Sequence, residues 1–273
     1  MFKADAKTAI DLDLGIMRAD LEAALHGDEF TLDYQPVFSL AGGRPVGVEA
    51  LLRWKHPRWG SLSPRVFLPV AEDAGLTDVI SEFVLGATCS QIAWWNGNLE
   101  IPLRISVNVS RQQLRSPALT DLVVDALSAS GLPRSSLILE LPERELGLLD
   151  EPGVATLRAL ADAEVGLCLD NFHADLGCEP GPGWSSVVQL KTSADLVRDV
   201  HRHPRRAAAI HALMTYGEEL GLEVVVKGVE APPQLDWLVE HCPGASVQGY
   251  AVSPALAPDR VMEWIRESCG VTV

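Results

Sequence analysis

Positive charge is scarce in this chain. Its 22 lysines and arginines face 37 aspartates and glutamates, for a formal net charge of −15. That balance argues against a nucleic-acid polymer as the main partner and against adhesion to an anionic membrane, since both would be repelled at long range. It leaves room for a small anionic ligand, because a few local arginines can hold a phosphate inside an acidic protein. Cysteine pairing signals are missing too. Cys89, Cys168, Cys178, Cys242 and Cys269 are odd in number, scattered and without a CxxC spacing. They read as reduced thiols, which fits a cytoplasmic setting rather than a disulfide framework. No membrane segment is expected: the least charged stretch, 84–99, is broken by Thr88, Ser90, Gln91, Asn96 and Asn98,. Nor does any stretch read as a signal peptide, although an anchor on a larger parent protein is compatible with this chain. There is no internal repeat, which argues against a solenoid.

What is present is a large apolar fraction, 47% of 273 residues, enough for one sizeable core,. Residues 1–27 carry Leu14, Met17, Leu21 and Leu25 at helical spacing and read as a leader helix, either packed on the core or joining an upstream module,. From residue 28 to 273 the chain alternates. Strand-like runs fall at 30–37, 46–54, 103–109, 137–141, 165–170, 187–191, 222–228 and 246–250. Amphipathic segments of helical length lie at 77–96, 117–130, 152–163, 204–220, 232–241 and 258–268. Eight apolar strands alternating with helices predict an α/β fold, a TIM-like (β/α)8 barrel behind the leader helix. The stretch GCEPGPGWSS at 177–186 is a loop where a helix would be expected,.

In such a barrel the site lies where strands run into the following connection. Those ends read Gln35, Glu49, Asn108, Glu140, Asp170, Lys191, Lys227 and Gln248. Each alone is an ordinary solvated or ion-paired residue; eight converging on one mouth point to a site. Glu49, Asn108, Glu140 and Asp170 are oxygen donors of the kind that Mg²⁺ or Mn²⁺ prefers, which suggests metal-assisted hydrolysis of a phosphate ester. A glycosidase with paired carboxylates is the competing reading, but the tryptophans, including Trp94 and Trp95 on a helix, do not form sugar platforms,. His201 and His203, beside Arg202, Arg205 and Arg206, read as a solvated basic patch,.

The segments YQPV (34–37), GVEALLRW (47–54), SVNVS (106–110), LELPE (139–143), LDNF (169–172), LK (190–191), KGVE (227–230) and QGY (248–250) resemble, in order, the motifs of the EAL domains. These are bacterial barrels that hydrolyse cyclic-di-GMP to linear pGpG. The resemblance implies that Glu49, Asn108, Glu140 and Asp170 would bind one metal ion. It implies that Arg53 contacts phosphate, that Lys191 is the catalytic-site lysine, and that Gln35 and Gln248 contact ligand or water. Glu143 would steady the loop after the Asp170 strand, and a homodimer and an upstream signalling domain are partners the family suggests.

The departures from the family's pattern cluster in one place. A paired aspartate is Asn171, the ExTE threonine is Pro142, and the loop after Phe172 reads HADLGCE. The glutamate of the family's AEGVE motif is Lys227, and the aspartate after the KI pair is Ser193. Asn171 and Lys227 stand where the resemblance places groups serving a second metal and the attacking water, so at most one Mg²⁺ or Mn²⁺ ion is expected. Three expectations follow: a c-di-GMP-binding module with weak or no turnover, an active phosphodiesterase, or a protein-interaction scaffold that binds no nucleotide.

Overall fold

The computed structural model describes residues 14–25, 27–100, 102–173 and 184–268. Cys178, Cys269, the first half of the expected leader and most of 177–186 lie outside them. In chain order the strands are β1 (Phe30–Ser39), β2 (Arg44–His56), β3 (Gly60–Leu62), β4 (Arg104–Asn108), β5 (Leu137–Pro142), β6 (Gly166–Phe172), β7 (Val187–Thr192), β8 (Glu223–Lys227) and β9 (Ser246–Gln248). The helices are α1 (Leu14–Ala24), α2 (Pro64–Asp73), α3 (Thr77–Asn96), α4 (Arg111–Leu114), α5 (Ala118–Ser130), α6 (Glu143–Leu146), α7 (Glu151–Asp162), α8 (Ala194–Val197), α9 (Pro204–Leu220), α10 (Pro232–His241) and α11 (Pro258–Ser268).

The strands close in the order β1-β2-β4-β5-β6-β7-β8-β9 and back to β1, with β3 hanging on β2 as a hairpin. This is the expected eight-stranded barrel, with one correction. β1 runs antiparallel to both β2 and β9, while the other barrel strands pair in parallel. The cause is the connection. Only Leu40–Gly43 separates β1 from β2, with Gly43 at φ +58°, and a tight turn of that length can join only antiparallel neighbours,. Gln35 is therefore not at a strand's C-terminal end; it reaches the mouth because it lies opposite Glu49 in mid-hairpin.

Burial explains the strand sequences. β5 is buried along almost its whole length, and Val224, Val225 and Val226 of β8 are covered by barrel interior and outer helices together. Such strands read as continuous apolar runs rather than alternations. α1 docks on the barrel through Met17, Leu21 and Ala24, all buried. Asp20 on α1 accepts from His56 Nε2 at 3.0 Å, since His56 Nδ1 already accepts the backbone N–H of Arg58 and Trp59. At the opposite end from the expected site, Glu223 gathers Arg104, Gln189 and Ser246 around its carboxylate. No helix of the described residues is long and apolar enough to cross a membrane.

Candidate functional site

Parallel register brings the polar strand ends to one level. Asn108 pairs with Glu140, Pro142 with Asp170, and Lys227 with Gln248. Two glycines make the rim possible. Gly228 has φ +77°, and a Cβ there would stand 2.5 Å from Ala194 Cβ; Gly249 has φ +154° with the Val229 backbone against it,. The side chains line a cleft of about 730 Å³ that takes in Glu49, Arg53, Asn108, Asp170 and Lys227.

One half of the site is organised by Lys191, whose residue surface is 1% exposed. Its ammonium donates to Glu49 at 2.8 Å and to Glu140, itself fully buried. Glu49 also accepts from Asn108 Nδ2 at 2.7 Å and from Gln248 Nε2 at 2.9 Å. Burial works to raise the Glu49 carboxyl, but the Lys191 charge and these donors outweigh it and hold it down at about 2,. Burial lifts Glu140 to about 7, helped by the charges of Glu49 and Asp170 and opposed by Lys191. Two carboxylates on one ammonium thus behave unequally, Glu49 being held below the ordinary carboxylate value and Glu140 raised above it. Lys191 is held charged by both, against the effect of its burial. Beneath them Cys168 is fully buried, its thiol pushed up by burial and the surrounding carboxylates, and it acts as core rather than nucleophile,.

The other half is built on Asp170. Lys227 Nζ donates to its Oδ1 at 2.5 Å, and Asn171 Nδ2 donates to its Oδ2 at 3.0 Å. Asn171 has φ +54°, a left-handed conformation that asparagine tolerates better than most residues,. Both oxygens of Asp170 are therefore satisfied by N–H donors of the chain itself. Glu143 lies just outside, where its carboxylate accepts the His173 backbone N–H at 3.0 Å. Arg53 is tied by Nε to Asp33 at 3.0 Å, a partner the sequence motifs did not flag. Gln35 lies near Gln248 and donates to the Ser253 carbonyl at 3.3 Å.

The structure thus brings Gln35, Glu49, Arg53, Asn108, Glu140, Asp170, Asn171, Lys191, Lys227 and Gln248 to one end of the barrel. Among the described residues, no three carboxylate, histidine or cysteine side chains are grouped to hold a metal ion. Each of the three carboxylates is engaged by an ammonium instead. The arrangement does not fit a pair of divalent ions. Sequence reasoning missed Asp33 and two cleft arginines, Arg65 on α2 and Arg144 on α6; these sit outside the strand ends, where no spacing rule points to them.

The EAL domain profile matches residues 18–255. The chain belongs to the EAL domain family. An uncharacterised signalling protein of Caulobacter vibrioides is 36% identical over 254 residues, covering 90% of this chain and 30% of that protein. The bifunctional diguanylate cyclase/cyclic di-GMP phosphodiesterase MucR of Pseudomonas aeruginosa is 32% identical over 252 residues, 89% of this chain and 35% of that protein. A solved structure described as the MucR phosphodiesterase in complex with c-di-GMP superposes with a TM-score of 0.78 at 31% identity, over 90% of this chain and 99% of that chain. This EAL domain spans about a third of the length of these two curated relatives.

Proposed function

We propose that this EAL domain binds c-di-GMP in the cleft and hydrolyses it weakly or not at all. One observation carries the reading: two of the departures from the family pattern, Asn171 and Lys227, donate to the same carboxylate, Asp170. The family resemblance places Asp170 at a shared metal position. Here its two oxygens are filled by an amide and an ammonium. Glu49, Glu140 and Asp170 against Lys191 and Lys227 leave a single negative charge, whereas the family pattern of five carboxylates and one lysine leaves four. Hard divalent ions bind in proportion to such charge.

Binding has separate supports. Arg53 retains guanidinium N–H groups beyond those used on Asp33 and the Leu52 carbonyl, enough to face a phosphate,. The buried Gln248 amide lies between Gln35 and Glu49, and Lys191 holds Glu49 in place. The MucR complex with c-di-GMP makes a cyclic dinucleotide the ligand to test first.

A second reading rests on the intact donor set Glu49, Asn108, Glu140 and Asp170. These four would take one Mg²⁺ or Mn²⁺ if Lys227 swung away from Asp170, giving a conditional phosphodiesterase. A homodimer and an upstream signalling module are carried over from the family on the same terms. The deciding experiment titrates c-di-GMP by calorimetry with and without Mn²⁺ and follows pGpG in the same samples. Metal-independent binding without product is expected. Turnover comparable to active EAL phosphodiesterases would overturn the proposal, and absence of binding in both conditions would leave a protein-interaction role.

A further inference from the structure

The cations that the motifs place in the site are already bound to carboxylates of the same chain. Lys191 lies between Glu49 and Glu140, Lys227 on Asp170, and Arg53 on Asp33. Four acids and three bases leave one negative charge. A cyclic dinucleotide brings two phosphates, each negative, and nothing in that set attracts it on balance.

Two other cations face the same cleft. Arg65 is exposed in the first turn of α2, directly after Pro64, in a turn that contains no acidic residue. It makes no hydrogen bond or ion pair among the described residues. Arg144 is the second residue of α6, between Glu143 and Glu145, with 84% of its side chain exposed. Its ion-pair partner is Glu145 at 3.4 Å, and that carboxylate is shared with Arg111. Among the described residues, the charged groups lining the cleft are Arg53, Arg65, Arg144 and Lys227 against Glu49, Glu72 and Asp170, a lining positive by one charge in a chain of net −15. Without Arg65 and Arg144 it would be negative by one.

We infer that Arg65 and Arg144 supply the attraction for the ligand's phosphates, taking over the role of positive charge that divalent metal would otherwise fill. This rests on the c-di-GMP reading above and deepens it. Affinity for the dianion is then set by side chains outside the motif residues, which hold the rim in shape. Arginine suits the role because its planar fork meets phosphate oxygens two at a time and cannot lose its charge.

The test uses the full chain freed of divalent ions with EDTA, with c-di-GMP as the probe. The Arg65→Ala/Arg144→Ala double variant is compared with Arg158→Ala, an exposed arginine on α7 that pairs with Glu151 at 3.9 Å. The double variant is expected to bind about tenfold more weakly or worse, with a shallower dependence of affinity on salt. Arg158→Ala should match the parent, and Arg65→Lys/Arg144→Lys should recover part of the loss. Unchanged circular dichroism and melting temperature establish that the variants fold. A double variant that binds within about twofold of Arg158→Ala overturns the inference while the c-di-GMP reading stands. A parent that does not bind at all overturns both, and the two failures are told apart by the parent titration alone.

Discussion

Replacing Lys227 by glutamate and Asn171 by aspartate gives the sharpest test of how this site treats metal. In the structure the Lys227 ammonium is 2.5 Å from Asp170 Oδ1, within the space a divalent ion on Asp170 would need. A unit charge 4 Å from a divalent ion interacts by about 8 kcal/mol at an effective dielectric of 20, and by about 2 kcal/mol at that of water. Lys227 is 21% exposed and Asp170 13%, so screening is partial and the true figure falls between these bounds. Even the lower bound corresponds to about thirtyfold in affinity, and the change from ammonium to carboxylate turns repulsion into attraction. The double variant should therefore bind Mn²⁺ at least about thirtyfold more tightly than the parent in a calorimetric titration. It should also form pGpG where the parent forms little. A change in Mn²⁺ affinity of less than about threefold would refute the charge argument, whatever the activity shows.

Three other outcomes are expected. Lys191→Met leaves Glu49 and Glu140 buried without their counter-charge and should destabilise the fold by about 3–5 kcal/mol, measured by urea unfolding,. Gly228→Ala forces a Cβ against Ala194 at φ +77° and should cost about 1–3 kcal/mol in the same assay, with loss of the Lys227 geometry,. Burial opposes the ionised Glu223, but Arg104 with the Ser246 and Gln189 donors outweighs it and holds the carboxyl below its ordinary value. Its stabilising contribution is thus present above the unfolded value of 4.5 and is lost as pH falls through the lower folded value. Glu223→Gln should weaken the protein at pH 6 and flatten the acid limb of its stability curve,.

Much of the barrel could be read from sequence because its strands are buried on both faces and its outer helices are amphipathic. The segments expected at 77–96, 204–220, 232–241 and 258–268 coincide with α3, α9, α10 and α11. The site's strand-end residues were legible for a related reason: a polar side chain at the end of an apolar run stands out. The direction of β1 was not inferred, although its short link to β2 implies it, because alternation of strands and helices elsewhere suggested a uniform rule. α2 escaped notice since two prolines, Pro64 and Pro69, obscure its periodicity. Asp33, Arg65 and Arg144 were invisible because their relevance is purely spatial. Arg65 and Arg144 come from α2 and α6, and only closure of the barrel brings them to the same cleft, while Asp33 of β1 meets Arg53 across the β1–β2 hairpin.

The reversed first strand has a consequence for how the barrel holds together. β1 meets β9 over only two residue pairs, Phe38 with Val247 and Ser39 with Ser246, supplemented by the bridge between Tyr34 and Leu256. Its hairpin with β2 runs for ten pairs. The short seam joins residues more than two hundred positions apart, so its loop-closure cost is met last in folding and its amides should exchange first in the native state. Gln35 and Gln248 face each other across that seam. A ligand gripping both amides would staple the barrel shut, and slowed hydrogen exchange at Val247 and Phe38 would register its arrival without any chemistry taking place.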